Sequence, residues 1–293
     1  MQNKICIIFN PAARGEKAKY LLTKLHSVVG EVPIKISQYP GDAEAKTEWA
    51  IEQGYDLIVA AGGDGTINEV VNGFNGREVT LGIIPLGTIN VFAMELGLPR
   101  SIEKAWTIIL EGKVKIIDLP KANDHLFVQL AGVGLDAKVL QVTHKDIRKT
   151  FGPLSYVFSV TKLLKEPQPL IEVKLKEGKR FFGSFLLVGN GKYYGGPFSV
   201  FPKAQQDDGI LDGCLFSRVS STILLKCLFK SFFNKMPTDC EVIHFQSKQF
   251  QVSSPEEIPV ELDGDFYGYT PVSFSCDQQK LKVIVPPTEK ATC

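Results

Sequence analysis

Over the first 118 residues, short apolar runs rich in β-branched residues alternate with stretches of helical period. Ile5 to Phe9, Val32 to Ile36, Leu57 to Ala61 and Leu81 to Ile84 predict buried strands, while Lys17 to Val29, Ala43 to Gln53, Ile67 to Asn72 and Ile102 to Leu110 predict helices. Such alternation predicts a Rossmann-like parallel sheet with helices on both faces. Ligands of parallel α/β sheets bind beyond the carboxyl ends of the strands, so the loops after Phe9, Ala61 and Ile84 are the ones to inspect. Past Asp118 the pattern changes to short strand-like runs between Gly, Pro and Asp turns: Phe127 to Leu130, Ile171 to Leu175, Phe181 to Val188, Leu211 to Phe216, Glu241 to Phe245 and Val272 to Phe274. These predict an antiparallel sandwich, interrupted by helical segments around Leu135 to Leu164 and Thr222 to Phe233. Leu281 to Val285 has the composition of a parallel strand and is expected to return to the first sheet. The predicted division is an α/β domain over 1–118, rejoined by about 277–293, and an all-β sandwich domain over 119–276.

Composition narrows the class. The 293 residues are 44% apolar and 22% charged, the profile of a folded protein rather than a disordered or collagenous one. Thirty-three Lys and Arg stand against 32 Asp and Glu, so no global field draws the chain to nucleic acid, and no nucleic-acid partner is expected. The cysteines, Cys6, Cys214, Cys227, Cys240, Cys276 and Cys293, form no C-x-x-C pair, which speaks against a zinc site or a disulfide framework. The strand-like start at Lys4 to Asn10 is unlike a signal segment, and no apolar run approaches the roughly 18 residues of a membrane span. A reducing cytoplasm is the expected compartment.

The strongest local signal is Ala61-Gly62-Gly63-Asp64-Gly65-Thr66-Ile67-Asn68-Glu69, after a predicted strand and at the start of a helix. Its glycines let main chain approach a bound group, and Thr66 with Glu69 has the spacing of a capping box. A helix start facing that loop is an anion site. An Asp among the glycines suggests a divalent cation beside the anion, magnesium first. A glycine turn with an Asp can also be simply a tight strand-to-helix connection, but Gly-Gly-Asp-Gly-Thr placed between strand and helix favours the phosphate site. Two companions favour a polyphosphate: Asn10 to Gly15 and Pro85 to Asn90 put small residues, an amide or a hydroxyl at the same predicted sheet edge. There is no G-x-x-x-x-G-K-[ST], no G-x-G-x-x-G in the first turn, and Asp265 to Gly268 is not a kinase D-F-G.

Read in order, N-P-x-x-x-G at Asn10 to Gly15, G-G-D-G-T-I-N-E-V-V-N-G from Gly62 to Gly73, P-L-G-T-x-N at Pro85 to Asn90, G-x-G-x-D-A at Gly132 to Ala137, D-D-G-x-L-D at Asp207 to Asp212 and D-G-D at Asp263 to Asp265 span nearly the whole chain. Together they resemble the diacylglycerol kinase catalytic-domain family, soluble lipid kinases that include bacterial diacylglycerol kinases and sphingosine kinases. The resemblance implies an NAD kinase/phosphofructokinase-like α/β domain, a β-sandwich domain, ATP and Mg2+, and transfer of the γ-phosphoryl group to a lipid hydroxyl, with diacylglycerol giving phosphatidic acid as the expected reaction.

Carried over by position, the resemblance assigns nucleotide contacts to Asn10, Ser37, Gly62, Gly63, Asp64, Gly65, Thr66, Ile67, Asn68 and Thr88, with Asp64 acting near metal and phosphates. It makes Asp208 a ligand of a structural magnesium, with main-chain oxygens near Gln205 and Ile210. On turn statistics alone Asp207-Asp208-Gly209 is an ordinary acidic turn. The general base is expected at Asp265, where the family has a Glu one methylene longer, and Asp136 is expected near the acceptor-lipid pocket. Phe198, Phe201, Tyr193 and Tyr194 could line that pocket, with core packing as their default.

The substrate places a lipid alcohol and a peripheral membrane surface among the expected partners, with a homodimer among the states allowed. Ser220 to Lys235 has apolar bulk and lysines at near-helical intervals, an interfacial-helix pattern. A helix packed on the sandwich with its lysines in water is the commoner origin of that pattern. The basic run His144, Lys145, Arg148 and Lys149 receives no site role. Two rivals remain: an NAD kinase, which shares G-G-D-G-T, and a lipid- or nucleotide-binding regulator with weakened catalysis, suggested by Asp265. The loops at Asn10, Pro85 and Asp207 argue against the first.

Overall fold

The computed structural model of the chain describes residues 4–13, 17–142, 167–233, 241–276 and 279–287. The chain divides into two compact units, residues 1–119 with 279–293, and residues 120–278.

The first unit alternates β1 (Ile5–Phe9), α1 (Ala18–Val29), β2 (Ile34–Ile36), α2 (Asp42–Glu52), β3 (Leu57–Gly62), α3 (Asp64–Asn72), β4 (Thr80–Pro85), α4 (Val91–Glu95), α5 (Ile102–Glu111) and β5 (Lys113–Asp118). Its sheet runs β2-β1-β3-β4, then the strand Lys280–Val285, then β5. The first four strands are mutually parallel; Lys280–Val285 lies parallel to β4 and antiparallel to β5. Every residue of β3 is buried because helices cover both faces, the arrangement that parallel strands require. Leu25, Val29, Ile102, Trp106 and Ile109 close one face over Ile7, Phe9 and Val59. The chain steps from β1 to β2 on one side and continues from β3 on the other, so the connections reverse direction between β1 and β3. Strand β2 starts two residues later than predicted: Pro33 has no N–H to donate and contributes only its carbonyl, which accepts from the Ile7 amide at 2.9 Å.

The second unit is a sandwich of two six-stranded antiparallel sheets. Its elements are β6 (Lys121–Ala122), β7 (His125–Leu126), β8 (Leu130–Val133), α6 (Leu135–Val142), β9 (Ile171–Leu175), β10 (Arg180–Gly183), β11 (Phe185–Gly189), β12 (Tyr193–Tyr194) and β13 (Phe198–Ser199). They continue through β14 (Leu211–Phe216), α7 (Ser221–Phe232), β15 (Val242–Ser247), β16 (Gln249–Ser253), β17 (Pro259–Leu262), β18 (Asp265–Tyr269) and β19 (Val272–Ser275), and Lys280–Val285 is β20. One sheet is ordered β10-β9-β16-β19-β6-β7 and the other β15-β14-β11-β8-β17-β18, and in the core between them Phe250 stacks on Phe274 while Phe127 meets Phe274 edge-on. The architecture is the predicted α/β unit plus β-sandwich.

Two predicted strands are corrected. Phe127 to Leu130 is not one strand, because the amides of Val128, Gln129 and Leu130 turn to the carboxylate of Asp263 instead of a ladder. Phe181 to Val188 breaks at Ser184, where the chain passes from one sheet to the other; a Cβ on Gly183 would lie 2.5 Å from the Phe216 carbonyl oxygen. The helix predicted around Leu135 to Leu164 is seen as α6, and its remainder, with the basic run from His144, lies outside the described residues. Among the described residues no helix is long and apolar enough to cross a membrane.

Candidate active site

At the carboxyl edge of the parallel sheet, main-chain bonds tie the predicted loops together. The Asn10 amide donates to the Ala61 oxygen at 3.1 Å and the Ser37 amide to the Phe9 oxygen at 2.8 Å, so the ends of β1, β2 and β3 share one rim. The Asn10 side-chain oxygen accepts from the Ala12 amide at 2.9 Å, turning the chain away from β1. The rest of that loop, Arg14 and Gly15, lies outside the described residues.

The glycine loops after β3 and β4 are joined more closely. The Leu86 and Gly87 amides both donate to the Gly62 oxygen, at 2.7 and 3.1 Å. A Cβ on Gly87 would fall 2.6 Å from the Gly63 Cα and 2.5 Å from the Asn90 side-chain oxygen, so only glycine permits this approach. Asn90 is buried in the left-handed conformation, which Asn tolerates better than most residues. Its side chain clasps Gly87 from both sides, accepting from the amide and donating to the carbonyl, each at 2.9 Å. Asp64 completes the junction across 27 and 28 residues: its two carboxylate oxygens accept from the amides of Val91 and Phe92 at 3.1 and 3.2 Å, capping the first turn of α4. Burial pushes the Asp64 carboxyl above its ordinary range, and these amides pull it back.

The predicted capping box is corrected. Helix α3 begins at Asp64, two residues before Thr66, with Gly63 extended ahead of it and no side-chain cap. Thr66 is buried directly beneath Gly62, whose added Cβ would meet the threonine hydroxyl at 2.3 Å. Glu69 instead accepts from the Ala43 amide at 3.1 Å, serving the first turn of α2. Ile67 is buried and its amide donates to the Gly63 oxygen, so it supports the loop from below. Gly63, Asp64, Gly65 and Asn68 are half-buried and Thr88 is exposed at this edge. The first-turn amides of α3 thus start beside the Gly63–Gly87 junction, an arrangement suited to phosphate oxygens.

In the second unit, Asp263 and Gly264 both have positive φ, 49° and 89°, and form the two-residue turn of the β17–β18 hairpin. Asp265 is the first residue of β18, exposed and paired with Leu262 at an outer strand of the sheet. Its neighbours fix the hairpin tip. Buried Asp263 accepts the amides of Val128, Gln129 and Leu130 at 2.8, 2.9 and 3.1 Å, and fully buried Glu261 accepts the Gly264 amide at 2.8 Å. Asp208 is exposed on the turn into β14 and accepts from the Ile210 amide at 2.9 Å; Gln205 lies on the same turn, exposed. Asp212, buried at the start of β14, is bonded by the Gln246 amide group at 2.9 Å. Burial, and then the charge of Asp208, push its carboxyl up. Among the described residues no three His, Cys, Asp or Glu gather to hold a metal ion, so a cation at Asp208 would draw on main-chain oxygens and water, donors that suit magnesium. Asp136 belongs to the first turn of α6, and its side chain lies outside the described residues. Phe201 is core, lying across Gly189, and Tyr194 packs on the same cluster.

Three residues escaped the sequence reading: Asn90 as a clasp, Asp263 as an amide hub and Asp212 beside Asp208. Asn90 left a local sign, an Asn ending a glycine loop before an apolar run, and Asp263 left one for its turn, the Asp-Gly pair, though none for its three amides.

Comparison with known proteins divides the chain near the same point, the second match running on through β20 of the first unit. A family model for the diacylglycerol kinase catalytic domain matches residues 4–122, and one for the YegS C-terminal NAD kinase beta sandwich-like domain matches residues 129–285. The chain is 29% identical over 301 residues to a diacylglycerol kinase of Staphylococcus carnosus, covering 100% of this chain and 98% of the relative. With a diacylglycerol kinase of Staphylococcus saprophyticus it shares 29% over 295 residues, covering 98% and 96%. A solved diacylglycerol kinase structure from Bacillus anthracis is 27% identical with a TM-score of 0.72, covering 97% of each chain. A second structure from that organism reaches 0.77 at 28% identity, again over 97% of each. Matched in order through both of its units, the chain belongs to the diacylglycerol kinase catalytic-domain family of lipid kinases.

Proposed function

We propose that this lipid kinase transfers the γ-phosphoryl group of ATP, with magnesium, to the free hydroxyl of diacylglycerol, giving phosphatidic acid and ADP. The reading is carried by the Gly63–Gly87 junction, where two strand-to-helix loops meet without side chains at the carboxyl edge of a parallel sheet. Backbone amides and the start of α3 at that edge match what phosphate oxygens require. The acceptor is drawn from the Staphylococcus relatives, which are named diacylglycerol kinases.

In this reading Asn10, Ser37, Gly62 to Asn68 and Thr88 form the nucleotide site, Thr66 and Ile67 from beneath. Asp64 holds the two phosphate loops in register and stands nearest the phosphates. Asp265 takes the acceptor proton as the hydroxyl oxygen bonds to the γ-phosphorus and the bond to the β-phosphate oxygen breaks. Exposure at a hairpin tip and a carboxylate side chain suit Asp265 to this task. Asp136 lies near the acceptor. Magnesium, when bound with the nucleotide, neutralises charge on the phosphate oxygens. A second magnesium would be held by Asp208 with main-chain oxygens of Gln205 and Ile210, where its charge would offset the repulsion between the Asp208 and Asp212 carboxylates.

The test is transfer of labelled phosphate from ATP to short-chain diacylglycerol with magnesium. Labelled phosphatidic acid is expected; nucleotide binding without product at stoichiometric enzyme would favour the regulator, and product only with NAD would favour the rival kinase. Asp265→Ala should lower kcat by about 100-fold or more, with the KM for ATP within about twofold and melting unchanged. Asp265→Glu should keep turnover. Magnesium should raise the wild-type melting temperature saturably by a few degrees, and Asp208→Ala should abolish that rise; differential scanning fluorimetry in magnesium and in EDTA reads it.

A further inference from the structure

Among its described side chains, helix α7 packs on the sandwich through Ile223, Leu224 and Cys227. Ile223 is buried, and Leu224 and Cys227 rest against the cluster of Phe185, Phe201 and Phe216. At about 100° per residue, Phe229 and the Phe233 that follows the helix project together on the far side. They are 65% and 62% exposed, with ring centroids 5.1 Å apart. Lys226 and Lys230 fall on one flank of the pair. The helix therefore does what a core helix does on its inner face and leaves an aromatic pair in water on its outer face.

The charge along this stretch of chain points to what covers that pair. From Gly213 to Thr238 the sequence carries Arg218, Lys226, Lys230 and Lys235 and no Asp or Glu, in a chain balanced overall at +1. A second copy docking through the same face would set these cations against themselves across a two-fold axis. An anionic bilayer complements both features at once: acyl chains take the rings, and lipid phosphates take the lysines. Resting on the reading that the acceptor is a membrane lipid, we propose that α7 is the membrane-docking element of the protein, with Phe229 and Phe233 inserting at the headgroup boundary of an anionic bilayer and Lys226 and Lys230 meeting its phosphates.

Vesicle sedimentation tests this. Wild type should bind phosphatidylcholine vesicles containing phosphatidylglycerol more tightly than pure phosphatidylcholine vesicles. F229A/F233A should weaken binding to the anionic vesicles at least about tenfold, and Lys226→Glu about fivefold or more. Both variants should keep the wild-type melting temperature and the wild-type turnover of monomeric short-chain diacylglycerol. Should the double variant fold poorly, Phe229→Trp replaces it: its added fluorescence must be quenched by brominated anionic lipids. Wild-type-like binding by the variants, no binding by wild type, no quenching, or a dimer that F229A/F233A dissociates would each overturn the proposal. Failure of the kinase reading would appear separately, as no turnover of short-chain substrate by wild type.

Discussion

Asp263→Ala will lower the unfolding free energy by about 3–5 kcal/mol, the largest single-residue effect expected in the second unit. The carboxylate is buried and accepts three consecutive amides, from Val128, Gln129 and Leu130, across more than 130 residues of chain. Alanine leaves three N–H groups without an acceptor where water cannot replace it, and each such loss costs about 1–3 kcal/mol. It also places a Cβ without a polar partner at a left-handed position, φ 49°. Asp263→Asn keeps the turn conformation and one acceptor oxygen, so about half of the loss should return. Urea unfolding followed by circular dichroism measures both. An alanine variant within about 1 kcal/mol of wild type would show that the three amides find other partners. Because Asp265 sits on the hairpin that Asp263 ties down, the alanine variant should also lose turnover at temperatures where it is still folded.

The second large effect is expected at Gly87. Alanine there drives a Cβ to 2.5 Å from the Asn90 side-chain oxygen and 2.6 Å from the Gly63 Cα. The asparagine could swing aside, but the other contact is main chain and cannot yield without parting the two glycine loops. Overpacking of this kind costs about 1–3 kcal/mol of stability. The catalytic loss should be larger, about 100-fold or more in kcat/KM for ATP, because misplacing a phosphate-binding loop by about 1 Å disturbs alignment for transfer. The separation is diagnostic: a melting shift of a few degrees with a collapse in nucleotide use marks a binding loop, whereas equal loss of both marks a structural turn. Steady-state kinetics with varied ATP, alongside calorimetry, distinguishes them.

Much of the first unit was legible because its strands are buried on both faces, and continuous runs such as Leu57 to Gly62 leave a signal that survives without partners. What the pattern missed was short or at an edge. Helix α4 spans five residues, too few to show a period, and it begins only because Asp64 caps it from another loop. Strand β5, Lys113 to Asp118, alternates lysines with exposed Val114 and Ile116 at the sheet margin and reads as neither buried strand nor helix. In the second unit the Asp263-Gly264 pair carries a hairpin signal as well as a family motif; read only as the latter, it hid β17 and β18. The glycine motifs located the sheet edge. They did not reveal how it is held, because Gly62, Asp64, Gly87 and Asn90 act through contacts set by the fold rather than by neighbours in sequence. The Thr66–Glu69 spacing misled for the same reason: Glu69 answers to Ala43, and the helix start is fixed by Gly63 and Asp64.

The most direct test of the account is a crystal structure with a non-hydrolysable ATP analogue and magnesium. The triphosphate should lie against the main chain of Gly62 to Gly65 and Gly87 to Thr88, with Asn10 and Ser37 along its rim. Density for the nucleotide at any other place, with those loops unchanged and empty, would contradict it.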